Sequence, residues 1–347
     1  MTHIERLHAG GILRRGSPRS GFRYHFAGDG KPARGQQARC QALGVPPAWR
    51  DVAINRSPSA RLQAVGRDAA GRWQYIYHPA HVRARERAKY DRLLRFGAGL
   101  PALRRAVRRD LRGDPLSRDA VLAVVVRILA AACIRPGSEV YAAQNGSYGI
   151  ATLRRRHVVV RGDSVWFDFE GKSGKRQQRT LREAVVARAV RRMLRWPGHE
   201  VFKYVVDGRA VDLKRADITE YIKRQMGSRF TAKDFRTWNG TLICACALAR
   251  AAAAAAPDGQ RERRRLIAAA LRETAAQLGN TPAVCRKSYV SPCVLASFER
   301  GTVIDRHAAT VEALLTRTAG GLNRAERALL RLLKRELSAQ TRRRLAA

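Results

Sequence analysis

His157-Val158-Val159-Val160-Arg161-Gly162-Asp163-Ser164-Val165-Trp166-Phe167-Asp168-Phe169-Glu170-Gly171-Lys172-Ser173-Gly174-Lys175 is the stretch that decides the fold class of this 347-residue chain. Two β-branched and aromatic runs, His157–Val160 and Val165–Phe169, flank Arg161-Gly162-Asp163-Ser164, a hairpin signal. Gly171–Lys175 makes a second turn before Arg176–Leu181. On both sides of this β-region the apolar spacing is helical. Upstream, from about Lys89, Leu93, Leu94, Leu100, Leu103, Val107 and Leu111 mark an amphipathic stretch whose other face is nearly all arginine. Ser117 is placed to cap a helix whose apolar residues run from Val121 to Ile134. Downstream, helical patterns cover Glu183–Arg195, Asp217–Gln225, Lys233–Ala256, Arg261–Leu278 and Arg306–Leu337, the last broken near Gly320-Gly321. Ala251–Ala256 is a low-complexity run that continues a helix and ends at Pro257.

Residues 1–90 read differently. Gly21–Phe26 alternates and closes on Gly28-Asp29-Gly30, a strand followed by a turn. Val45-Pro46-Pro47-Ala48-Trp49 is extended or turned, because proline pushes its predecessor out of helical space. Val52–Ile54, Leu62–Gly66 and Gln74–Pro79 read as further strands. The expected architecture is α+β. A small β-rich N-terminal domain covers residues 1–90, and a larger, mainly helical domain with an inserted β-hairpin region covers 91–347. Basic and aromatic residues interleave in the first domain, which suits a grip on a phosphate backbone. Any one of them serves equally as an ordinary core residue.

Charge narrows the partner. Lys and Arg number 68 against 28 Asp and Glu, a formal net charge of +40. With 45% hydrophobic residues the chain is no disordered basic tail, so the charge belongs to folded surfaces. A polyanion is the partner such a surface selects, since each neutralised phosphate releases a counterion. A GC-rich genome explains arginine over lysine but not the excess itself. The longest apolar run, Val121–Ile134, is interrupted by Arg127 and too short to cross a bilayer. Met1–Arg15 lacks an apolar stretch of signal-peptide length. Six cysteines, at 40, 133, 244, 246, 285 and 293, show no paired zinc spacing and read as reduced buried thiols. The expectation is an intracellular protein associated with the nucleoid.

Cutting a phosphodiester requires a nucleophile, an acid for the leaving group and cations around phosphorus. Clustered carboxylates for Mg²⁺ are missing from the sequence, and Gly171–Lys175 lacks the length and helix of a nucleotide-binding loop. The chemistry left is metal-free, with arginine and lysine as the cations and a side chain as the nucleophile.

At this point the residues carry a resemblance. Cys133-Ile134-Arg135-Pro136-Gly137, Tyr141, Asn145–Gly149, and Thr152-Leu153-Arg154 with His157-Val158 resemble the first arginine block of bacterial and poxvirus-type DNA topoisomerases of type IB. Phe169–Lys175 is similar to that family's hairpin turn with its catalytic lysine. Thr231–Trp238 resembles the second arginine block, and Gly279–Pro282 with Cys285–Val290 the region ending in the nucleophilic tyrosine. Gly21–Phe26, Val45–Trp49 and Gly66-Arg67-Asp68 through Pro79 fit its N-terminal part. The resemblance spans about residues 20–300 in the family's order.

It implies the helical catalytic fold shared by tyrosine recombinases and type IB topoisomerases, acting as a monomer on double-stranded DNA without membrane, metal or cofactor. It also implies roles. Tyr289 attacks the phosphodiester, Arg135 and Arg236 clamp the non-bridging oxygens, and Lys172 on a mobile turn protonates the leaving 5′ oxygen. Two departures stand out. Asn280, nine residues before Tyr289, occupies the place of a histidine; its amide donates the same hydrogen bond without charge. Pro136 follows Arg135 directly, in a block expected to be helical. Lys175 and Lys233 are candidates for further phosphate contacts.

Two other readings remain open at this level. A tyrosine recombinase shares the Arg, Lys, Arg, Tyr chemistry, but typically has His-x-x-Arg where this chain has Lys233-Asp234-Phe235-Arg236, and a helical rather than strand-rich N-terminal domain. A non-catalytic architectural DNA-binding protein explains the charge but not the four residues together. Arg324–Leu337 and Arg342-Arg343-Arg344 serve as extra DNA grip or as a solvated helix and frayed end.

Overall fold

The computed structural model describes residues 1–28, 30–255, 258–316 and 320–345. Asp29, Ala256 and Pro257, parts of two segments read above, lie outside them. The chain divides into two compact units, Met1–Tyr90 and Asp91–Ala347.

The first unit is built on an antiparallel sheet of β1 (Ile12–Ser17), β2 (Gly21–Phe26), β3 (Arg50–Ile54), β4 (Leu62–Arg67) and β5 (Trp73–Tyr77), in the order β2-β1-β3-β4-β5. Two helices missing from the sequence reading cover its faces: α1 (His3–Gly10) and α2 (Arg34–Ala42). Leu7 of α1 packs with Ala53 and Val65, while Cys40 of α2 packs with Ile12, Val52, Ile54 and Ala64. Burial on both faces explains why β3 and β4 read as continuous apolar runs rather than alternating ones. The signal for α1 was present: Thr2 and Glu5 form a reciprocal capping box, with bonds of 2.7 and 3.2 Å.

The helix α3 (Pro79–Asp110) crosses the division and leads into α4 (Arg118–Ala132). The Ser117 hydroxyl caps α4 by accepting the Ala120 N–H. Ala120–Val126, Ile128 and Leu129 are all buried, so α4 is a core helix with no polar face. Arg127, its one interruption, is neutralised by Glu183 at 2.6 Å. α4 ends where Cys133 turns left-handed at φ 55°. Pro136 then keeps Arg135 out of helical space, so residues 133–138 are irregular. This corrects the helical expectation for the first arginine block.

Beyond α5 (Glu139–Asn145) come β6 (Val158–Arg161), β7 (Ser164–Glu170) and β8 (Arg176–Arg182), an antiparallel meander. Glu170 pairs with Arg176, which leaves Gly171–Lys175 as the turn between β7 and β8. Ser173 and Gly174 are both left-handed there, at φ 66° and 69°. α6 (Ala184–Arg195) follows. A short hairpin, β9 (Lys203–Val206) and β10 (Arg209–Asp212), was not read from the sequence. The remaining helices are α7 (Arg215–Met226), α8 (Ala232–Ala254), α9 (Gly259–Leu278), α10 (Pro282–Ser288), α11 (Pro292–Glu299), α12 (Val311–Thr316) and α13 (Arg324–Leu345). Residues 301–310 are not helical, which shortens the helix expected from Arg306.

The core of this unit centres on α8, whose residues Phe235–Ala249 are all buried. Phe96 of α3 meets Phe235 edge-on at 5.0 Å and lies 6.4 Å from Trp238. From α13, Glu326 is 3% exposed and receives both ends of the Arg104 guanidinium at 2.7 and 2.9 Å. All six cysteines are buried, and none of them forms a disulfide. Among the described residues no helix is long and apolar enough to cross a membrane.

Candidate active site

The site is assembled on α8. Its first turn is fixed twice over: the Thr231 N–H donates to Asp234 at 2.8 Å, and Arg92 holds the same carboxylate at 2.5 and 2.6 Å. From this anchored start, Arg236 projects into the interior and is 2% exposed. One of its Nη groups donates to the Cys133 carbonyl, the other to the Leu278 carbonyl at 2.7 Å. Those carbonyls lie at the C-terminal ends of α4 and α9, closed by left-handed Cys133 and by Gly279 at φ 58°. Helix C-termini carry orphan carbonyls and the negative end of the dipole, so one guanidinium satisfies two of them. Its Nε is buried and, among the described residues, meets no acceptor at hydrogen-bond geometry, so this donor is left for something else.

Asn239 secures the turn that Arg236 grips. Its amide donates to the Ala130 carbonyl at 2.7 Å and to the Cys133 sulfur at 3.2 Å. Arg135, just beyond, is half-buried and donates to Asn280 Oδ1 at 2.6 Å. The Asn280 Nδ2 makes one long bond, 3.4 Å to the Leu278 carbonyl, so its donor capacity is largely unspent.

Tyr289 closes α10, whose start is marked by the Thr281 cap and Pro282. The Thr241 hydroxyl donates to the Tyr289 carbonyl at 3.1 Å and accepts the Ser291 N–H at 3.1 Å. Gly240 makes room for this approach. A Cβ there would lie 3.1 Å from the Tyr289 Cβ, 3.1 Å from its carbonyl oxygen and 3.0 Å from Leu278 Cδ1. The Arg236 guanidinium carbon is 5.0 Å from the Tyr289 ring centre. Burial alone would raise the Tyr289 phenol pKa, but the charge of Arg236, hydrogen bonding with it, and the charges of Arg135 and Lys233 together outweigh it, and the net shift is downward. Arg135 is lowered by burial and then by the charge of Arg236.

The structure thus brings Arg135, Arg236, Asn280 and Tyr289 together. It leaves Lys172 exposed in the turn after β7, with no hydrogen bond or ion pair among the described residues. Residues not singled out in the sequence also belong here. Arg179 of β8 donates to the Gln277 carbonyl at 2.9 Å, and its pKa is lowered by burial and then by Arg236. Gln177, Asn239, Gly240 and Thr241 complete the frame. A glycine and two polar residues within a buried helix were the available signal for the last three.

Two family models match the chain. One, described as the catalytic core of eukaryotic DNA topoisomerase I, matches residues 80–300; the other, the N-terminal domain of bacterial DNA topoisomerase IB, matches residues 21–68. The chain belongs to the type IB DNA topoisomerase family. Among relatives of this family, the DNA topoisomerase 1B of Acanthamoeba polyphaga mimivirus is 33% identical over 304 residues, which is 86% of this chain and 90% of the relative. The DNA topoisomerase 1B of Vaccinia virus (strain Copenhagen) is 26% identical over 253 residues, 71% of this chain and 75% of the relative. Arg135, Lys172, Arg236, Asn280 and Tyr289 all fall within the residues matched by the catalytic-core model. Both models describe topoisomerases, not recombinases.

Proposed function

We propose that this protein relaxes positive and negative supercoils in duplex DNA by transient single-strand cleavage, without ATP and without a metal ion in any step. The observation that carries the reading is a tyrosine set against the Arg236 guanidinium, with Arg135, itself bonded to Asn280, as a second cation that lowers its phenol pKa. Tyr289 Oη attacks phosphorus, forming a 3′-phosphotyrosyl bond and breaking the bond to the 5′ oxygen, while the phenolic proton passes to solvent. Arg135, the free Nε of Arg236 and the Asn280 amide donate to the non-bridging oxygens and stabilise the charge that builds there. Lys172, unheld on its turn, delivers a proton to the departing 5′ oxygen. The energy of the cut bond stays in the tyrosyl ester, so the 5′ hydroxyl reseals the strand after rotation by the reverse of the same steps.

The first unit, with Tyr75 stacked on Tyr77 at 6.3 Å and Arg67 over Trp73 at 4.7 Å, grips the duplex through its backbone. The enzyme acts as a monomer, in the compartment of the chromosome. The test is relaxation of plasmids of either sign in EDTA without ATP, by the intact protein and by Tyr289→Phe. Relaxation of both signs, lost in the variant while DNA binding persists, is the expected result. Binding without relaxation by the intact protein refutes the proposal and leaves an architectural role.

A further inference from the structure

Lys172 is exposed and its side chain makes no hydrogen bond or ion pair among the described residues, so its placement depends on the backbone that carries it. Gln177, two residues past the turn and 8% exposed, holds that backbone. Its Nε2 donates to the carbonyls of Lys175 and Arg176, both at 3.2 Å, and the Gly171 N–H closes the turn onto Lys175 at 2.9 Å. The same side chain is wedged between two glycines. A Cβ on Gly171 would lie 2.8 Å from Gln177 Cγ, and a Cβ on Gly279 would fall inside the Gln177 amide. Gly171 immediately precedes Lys172, and Gly279 immediately precedes Asn280.

Arg179 completes the connection. Its Nη2 reaches Gln177 Oε1 at 3.3 Å, the Gln277 carbonyl at 2.9 Å and the Ala276 carbonyl at 3.4 Å. A continuous chain of hydrogen bonds and close packing therefore runs from the Lys172 turn to the end of α9. There the Leu278 carbonyl is held by Arg236 and Asn280 accepts from Arg135. Sliding the turn would open a gap beside Gly279 and break partly buried polar contacts at both ends.

We infer that Gln177 and Arg179 are positioning residues that lock the Lys172 turn to the Asn280 end of α9, so that proton donor and phosphate-binding groups hold one fixed spacing. The inference rests on Lys172 being the acid for the leaving 5′ oxygen, as proposed above.

Single-turnover cleavage of two duplexes separates the possibilities. One carries the ordinary 5′ oxygen at the scissile phosphate, the other a bridging sulfur there, which leaves as a thiolate without needing a proton. Gln177→Met keeps the side-chain volume but loses the amide. It should slow cleavage of the oxygen duplex roughly 10–100-fold and of the sulfur duplex less than about threefold. Arg179→Met, which removes every donor to Gln177 and to the α9 carbonyls, should show the same selective defect and carries the test if Gln177→Met fails to fold. Wild-type cleavage of the oxygen duplex by both variants, or equal slowing on both duplexes, overturns the positioning role. Lys172→Ala is the control for the underlying reading: equal slowing on both duplexes by that variant refutes the acid assignment itself.

Discussion

Gly240→Ala tests whether the α8 frame sets the position of Tyr289. In an ordinary helix interior the exchange stabilises by roughly 1 kcal/mol, because alanine is the better helix former. Here the added methyl would stand 3.0–3.1 Å from three atoms, two of which belong to Tyr289. Those distances are a few tenths of an ångström short of comfortable contact, and overpacking of that kind costs about 1–3 kcal/mol. The propensity gain offsets part of the packing cost, leaving a loss between zero and about 2 kcal/mol, or a fall of up to about 8 °C in Tm for a unit of this size. The strain is relieved by moving the Tyr289 backbone, because Gly240 lies in a helix buried on all sides. A misplacement of 1 Å in an active site costs on the order of a hundredfold, so a shift of a few tenths should slow adduct formation about three- to tenfold. The assay is covalent adduct accumulation under single turnover, with melting and noncovalent DNA binding followed in parallel. A variant that melts higher and cleaves at the wild-type rate would show spare room at Gly240 and refute the packing argument.

Other expectations follow from the same geometry. Adduct formation should rise with pH and level off above the lowered Tyr289 pKa, short of the ordinary tyrosine value near 10. Lys233→Met removes one of the lowering charges, so the midpoint of that pH profile should move upward; an unmoved midpoint contradicts the electrostatic account. Arg236→Met strips donors from the Cys133 and Leu278 carbonyls and should cost about 1–3 kcal/mol for each in denaturant unfolding, besides abolishing cleavage. Glu326→Gln leaves the Arg104 cation without its counter-charge and should cost about 2–4 kcal/mol, below the full value for a sealed pair because Arg104 keeps some solvent. Asn280→Asp would form an ion pair with Arg135 at unchanged volume, so Tm should hold or rise while cleavage falls at least about tenfold; equal activity would show that the charge balance is immaterial.

Much of this was legible in the sequence, for identifiable reasons. The β6–β8 meander was readable because its strands are β-branched and its turns carry glycine, and α4 because Ser117 caps an apolar run. The catalytic candidates were readable only as an ordered set, since each is unremarkable by itself. What escaped is non-local. Nothing local to Arg179 says that it caps α9, 97 positions away in the chain for Ala276. The hairpin β9–β10 is short and half-exposed, with too little alternation to stand out. The helix boundary before Arg135 was announced by Pro136, yet the αL turn at Cys133 needed tertiary support from Asn239.

The charge arrangement explains why the site takes a neutral amide at position 280. Arg135, Arg179 and Arg236 crowd together, and among the described residues no aspartate or glutamate stands with the groups that shift Arg135, Arg179 or Tyr289. A protein selected only for stability would place a carboxylate there. Instead Arg236 and Arg179 are held by the carbonyls of Cys133, Leu278 and Gln277, at helix ends that carry about half a charge each, and Arg135 by the Asn280 amide oxygen. Carbonyls orient a cation without cancelling it. In the proposed reaction the field that remains does two things at once: it lowers the Tyr289 phenol pKa, and it stays uncompensated until a phosphate enters. A phosphodiester carries one negative charge and the five-coordinate phosphorus that follows carries more, so relief of the cation–cation repulsion is greater in the transition state than on binding. A carboxylate in place of Asn280 would supply that relief in advance and remove the difference.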